Sequence, residues 1–151
     1  MKLQKLALMA VALIALGGFT QHSYAQSSDT PSYTEGPVVV VSYIRTEPGR
    51  FEEYMTYLAG NYKRSMEEEK KAGIILDYAI YAAEQRTEHD PDLMLTVTYA
   101  NMAALDNLNE KTRAITAKVW GSVQASTAAS IDRGKMRTAV GGQTLRKLNL
   151  K

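Results

Sequence analysis

From Val38 onward the chain alternates between two spacings of apolar residues. Val38 to Arg45 is dominated by β-branched residues and predicts a strand, which Pro48 and Gly49 end. From about Arg50 to Ala72 the spacing becomes helical. Phe51, Tyr54, Leu58, Tyr62, Ser65, Met66 and Glu69 fall along one side, and Gly73 is a suitable stop. Ile74 to Ala83 predicts a second strand. Glu84 to Asp92 is polar and contains Pro91, so it is a loop. Leu93 to Ala100 alternates cleanly and predicts a third strand. The loop between these two strands is too short for a helical crossover, so they form a hairpin. Asn101 is placed to cap a helical region running from Met102 to about Asp132, which Gly121 divides into two helices or leaves as one. Arg137 to Leu150 ends the pattern as a strand with a bulge at Gly141-Gly142.

The predicted order is β-α-β-β-α-β. That is an α+β, ferredoxin-like arrangement: a four-stranded antiparallel sheet with both helical segments on one face. Parity then assigns side chains. Leu93, Leu95, Val97 and Tyr99 face the helices, as do Ile74, Leu76, Tyr78 and Ile80. The open face receives Val39, Val41, Tyr43, Arg45, Ile75, Asp77, Ala79, Tyr81, Met94, Thr96 and Thr98. Ser42 interrupts the apolar set of the first strand. This open face is too apolar to meet water and too polar to be plain core, so it predicts a homodimer in which two sheets face each other.

The N-terminal segment changes the charge argument. Lys2 and Lys5 precede an uncharged apolar run, Leu6 to Leu16, and Ser23-Tyr24-Ala25 supplies small residues where a signal peptidase reads. Residues 1–25 are therefore expected to be an export signal cleaved after Ala25, residues 26–37 a flexible leader, and residues 38–151 a single domain. The apolar run is too short to span a bilayer, so no stable membrane anchor is expected. The expected location is the periplasm, with secretion as the alternative. The full chain has 18 Lys and Arg against 16 Asp and Glu; Lys2 and Lys5 leave with the signal, which gives 16 against 16. Overall basicity thus gives no reason to expect a nucleic-acid partner. Nine basic residues against Asp132 alone lie between Lys111 and Lys151, and they read as a solvated helix face and a basic last strand. The chain has no Cys, so it offers neither disulfide nor thiolate chemistry.

Candidate chemistry is sparse. No phosphate-loop, zinc or nucleophile-elbow pattern occurs, and neither a metal nor a cofactor is expected. His89 sits in the polar loop beside Asp90 and Asp92, a poor place to exclude water. Eight tyrosines remain after Ala25 against few phenylalanines, and buried hydroxyls need partners. A pocket built from Tyr43, Tyr54, Tyr57, Tyr78 and Tyr81, with Thr96 and Thr98, would suit a polar or phenolic small molecule. Arg45 and Asp77 are the candidates for catalysis: Arg45 as anchor for a carboxylate or enolate, Asp77 as base. A structural ion pair between strands is the plainer alternative.

The Pro48-Gly49 corner followed by Phe51-Glu52-Glu53-Tyr54, the Tyr-rich first helix, the hairpin, and the run Tyr99 to Asp106 (YANMAALD) resemble the dimeric α/β-barrel superfamily. Its members include antibiotic-biosynthesis monooxygenase-like, EthD-like and NIPSNAP-like domains. The resemblance covers about Pro37 to Lys151 and rests on element order rather than a catalytic motif. It implies a dimer closed by two sheets, often with a small-ligand pocket in each protomer. Some members oxidise polycyclic phenols without a cofactor; others degrade or carry haem. Haem-degrading members use a helical His with Asn and Trp, whereas the second helical region here has Trp120 and no His. The leading expectation is an exported small-molecule-binding dimer. A cofactor-independent monooxygenase or isomerase, and an interaction protein without a working pocket, are the alternatives.

Overall fold

The structure, a computed structural model, describes residues 30–151. The expected signal, 1–25, and the start of the leader lie outside the described residues. Strand β1 spans Tyr33–Thr46, α1 Phe51–Tyr57, α2 Lys63–Lys71, β2 Asp77–Ala82, β3 Leu93–Tyr99, α3 Leu108–Trp120, α4 Val123–Gly134 and β4 Arg137–Leu150. The sheet order is β2-β3-β1-β4, and every neighbouring pair is antiparallel. Each helical segment thus crosses over a strand inserted between the two it joins, which is the ferredoxin-like α+β fold predicted from the pattern.

Two strand starts differ from the sequence reading. β1 begins at Tyr33, five residues before Val38, so the end of the expected leader is strand. Tyr33, Thr34 and Glu35 pair with Leu150, Asn149 and Leu148 beyond the reach of β3. β2 begins at Asp77 rather than Ile74. Leu76, expected to face the helices, is 48% exposed, and Ile75, expected on the open face, is buried. The strand's alternation cannot extend back through them because the backbone there is still leaving α2.

The first helical segment is kinked at Gly60, whose backbone leaves the helical region. Leu58–Tyr62 forms a π turn between α1 and α2, with Gly60 at φ −88°, ψ −116°. Tyr54, Leu58 and Tyr62 recur every fourth residue, which an α-helix of 3.6 residues per turn would carry off the sheet-facing side. The wider turn holds them on it. The second segment is two helices, preceded by a short 3₁₀ turn, Met102–Leu105. Asn101 accepts from the Ala104 amide at 3.1 Å and so caps this 3₁₀ turn rather than the helix expected from Met102, which starts only at Leu108, after Asn107 at φ +53°. Gly121, at φ +81°, ends α3, and the Ser122 hydroxyl caps α4 through the Ala125 amide.

The core lies between the sheet and α1. Ile44, Leu93 and Leu95 from the sheet meet Tyr54 and Leu58 from the helical segment and Met136 from the α4–β4 link. Fully burying an aliphatic side chain of this size contributes about 1.5–3 kcal/mol, so these few contacts fix α1. α3 and α4 pack differently. Neither buries a residue, and β4 is exposed along nearly its whole length.

Candidate functional site

Register places the nine residues expected to line a site. Val39, Thr98 and Asp77 form one cross-strand row, Val41, Thr96 and Ala79 the next, and Tyr43, Met94 and Tyr81 the third. Their parity puts them on the face away from the helices, as predicted. Gln143 and Leu145 of β4 join them opposite Val41 and Val39. Tyr54, Tyr57 and Tyr78 are on the other side, among the helices. The sheet therefore divides the nine, and they do not line one pocket.

Arg45 and Asp77 do not meet either. Asp77 belongs to the row of Val39, whereas Arg45 stands six residues further along β1, opposite Thr138. At roughly 3.3 Å per residue that is about 20 Å along the strand, with β3 between them as well. Asp77 pairs instead with Lys70 of α2 at 2.8 Å, and the hydrogen bond from Lys70 holds its carboxyl below the usual carboxylate range. An exposed acid with a lowered pKa is a weak base. Arg45 and His89 border an open, polar groove of about 570 Å³ at the end of the sheet. There Asp92 accepts from the Thr46 amide at 3.0 Å and from the Thr46 hydroxyl, while Asp90 accepts from the amides of Arg86 and Thr87. Both aspartates hold the hairpin loop, and His89 is exposed beside them.

A second concave site lies on the helix side of the sheet, between β1 and the Arg133 end of α4. It is a cleft of about 250 Å³ lined by Val40, Ser42, Ile44, Leu95 and Val97 from the sheet, Tyr54 and Tyr62 from the first helical segment, and Arg133 and Arg137 from either end of the α4–β4 link. Ser42 is exposed although it sits in mid-strand with paired strands on both sides. Its partner in β4 is Gly142, so two consecutive strands present almost no side chain at that point. The lining thus combines aliphatic side chains with cationic and phenolic groups.

The polar groups are built in layers. The Tyr54 and Tyr57 rings stack at 6.0 Å, 7° from parallel, and Trp120 tilts against Tyr57 at 6.1 Å. The Trp120 indole donates to the Ser65 hydroxyl at 3.2 Å, which satisfies it. The Arg133 guanidinium lies 5.9 Å from the centre of the Tyr57 ring and donates to the Tyr57 hydroxyl at 3.4 Å. Burial raises the Tyr54 pKa, and the charges of Arg137 and Arg133 oppose it. Burial also raises Tyr62, next to the edge-on ring of Tyr78. Tyr78 donates to Glu67 at 2.7 Å and is pushed up to about 12. These hydroxyls therefore stay protonated at neutral pH and act as donors. Glu69 is buried, and loss of solvent raises its carboxyl pKa.

Sequence reasoning found Tyr54 and Tyr57 but missed Ser42, Tyr62, Arg133 and Arg137. Tyr62 was in the helical stripe, and Ser42 was visible as the break in an apolar set. The two arginines sat in a basic stretch that reads as solvated.

No protein family matches the chain, and no curated protein is similar enough to match. Among solved structures, a dimeric ferredoxin-like protein from an uncultured marine organism is similar over 78% of this chain and 98% of its own, at 12% identity and a TM-score of 0.47. Among the described residues, no helix is long and apolar enough to cross a membrane, and no three His, Cys, Asp or Glu side chains group as metal ligands would.

Proposed function

We propose that this chain is an exported small-molecule-binding protein that works as a homodimer. The observation that carries the reading is the cleft beneath α4: a concave site with an apolar wall and a few convergent polar groups, the usual form of a small-molecule site. Its tyrosines are held protonated and Asp77 lies on the far side of the sheet's edge row, paired with Lys70, which favours binding over proton abstraction. The dimer is supported by the open face, where Val39, Ala79, Met94 and Leu145 adjoin Tyr43 and Tyr81 on the side of the sheet away from the described helices. Export, to the periplasm or beyond the cell, is supported by the charge and hydropathy pattern of residues 1–25.

Native mass spectrometry of protein expressed with its own N-terminal segment and purified from the periplasm tests this. A dimer carrying extra bound mass is the expected result. A bare dimer would keep the assembly and remove support for a carried ligand. A monomer would overturn the facing sheets, and retention of the precursor in the cytoplasm would overturn export.

A further inference from the structure

The cleft holds an electrostatic imbalance. The Nε atoms of Arg133 and Arg137 are both buried without a hydrogen-bond partner. Among the described residues, no carboxylate forms an ion pair with either guanidinium, although six ion pairs of other Lys and Arg side chains are formed elsewhere. The partners that Arg133 does have, the hydroxyls of Tyr57 and Ser130, are neutral and distant at 3.4 Å. Both arginines are half-buried, but their Nε–H donors are shut off from solvent, and a buried donor without an acceptor asks for an occupant.

An anion answers that need, and the rest of the lining narrows which kind. Arginine offers Nε–H and Nη–H side by side, the spacing that a carboxylate accepts with both oxygens. The remaining wall is aliphatic: Val40, Ile44, Leu95 and Val97. An inorganic anion would leave that wall unfilled and would surrender its hydration for no apolar gain. The volume, about 250 Å³, falls just below the usual range of ligand sites, roughly 300–1,000 Å³, and so calls for a small ligand. Resting on the small-molecule reading above, we propose that the cleft binds a small organic carboxylate, its head held by Arg133 and Arg137 and its apolar body lying over Ser42 against the aliphatic wall.

Calorimetric titration of the full chain with benzoate, benzamide and inorganic phosphate tests the proposal. Benzoate and benzamide share a ring and differ in charge. The expected result is saturable benzoate binding, benzamide at least tenfold weaker, and phosphate without measurable binding. Arg137→Gln should weaken benzoate at least tenfold. Ser42→Leu, which fills the cleft without touching either arginine, should abolish binding while melting no lower than the parent. Equal binding of benzamide and benzoate would overturn the carboxylate assignment and leave a small-molecule site. Phosphate binding that Ser42→Leu does not disturb would place the anion outside the cleft and overturn it too. No benzoate binding by the folded parent up to about 10 mM, a weak affinity by any measure, would also overturn it. In that case benzamide binding, or bound mass on the periplasmic protein, decides whether the wider reading stands.

Discussion

Ser42 shows how much a single residue can disclose. In the helix-facing set of β1 its companions are Val38, Val40 and Ile44, all suited to a core. A lone hydroxyl among them reads as noise in an alternation, yet it marks where the core stops and the cleft begins. Arg133 and Arg137 gave no such signal, because a charged residue on a helix or edge strand usually reaches water, whereas these two are half-buried and line the cleft. Asp77 was legible in its parity but not in its partner, since Lys70 approaches from the helix that precedes the strand. Glu69 carries a prediction of its own. Its carboxyl is raised from 4.5 by burial, so folding takes up a proton. Stability therefore falls as pH rises from the unfolded carboxyl value through the raised folded one. Glu69→Gln should melt higher than the parent at pH 7 and level with it at pH 4. Parallel melts at the two pH values check this, and an equal shift at both would show that the change is packing rather than titration.

At the scale of elements, periodicity located the four strands and the two helical regions, and its errors fell where chain geometry departs from ideal spacing. The π turn was hidden because a four-residue repeat reads as an α-helix until its drift is counted. The start of β1 was hidden because Gly36 and Pro37 interrupt the apolar run, while the ribbon with β4 survives them through a register shift between Glu35 and Val38. The bulge expected at Gly141-Gly142 falls at Val140, between the Tyr43–Gly141 and Ile44–Ala139 pairs, while Gly142 pairs in register with Ser42 and has a steric reason of its own. A Cβ there would stand 2.8 Å from the Val41 carbonyl oxygen, a backbone atom that cannot swing aside. Gly142→Ala should destabilise the fold by about 1–3 kcal/mol, the usual cost of overpacking, seen as a lower urea midpoint with an unchanged slope. An unchanged midpoint would mean that β1 and β4 can separate locally without loss.

For the whole molecule, the sheet's two sides differ: one forms the core and the cleft, the other is the face proposed to meet a second copy. Thr96 stands near the middle of the open face, its hydroxyl donating to the Ala79 carbonyl at 3.3 Å. Thr96→Glu would set like charges against each other across facing sheets, at a cost of several kcal/mol. Light scattering should then report the monomer mass with an unchanged circular dichroism spectrum. A persisting dimer would place the interface elsewhere, with the exposed Leu148 and Leu150 of β4 as the next place to look. The β1–β4 pairing has a further consequence. It is the longest ladder in the sheet, and it joins residues more than ninety positions apart, from Arg45 with Thr138 to Tyr33 with Leu150. Such distant pairing makes loop closure slow. A nascent chain has β1, α1, the hairpin and β3 long before it has the strand that completes β1. Until β4 is made, β1 remains a sheet edge, and the chain stays open to whatever machinery handles unfolded polypeptide.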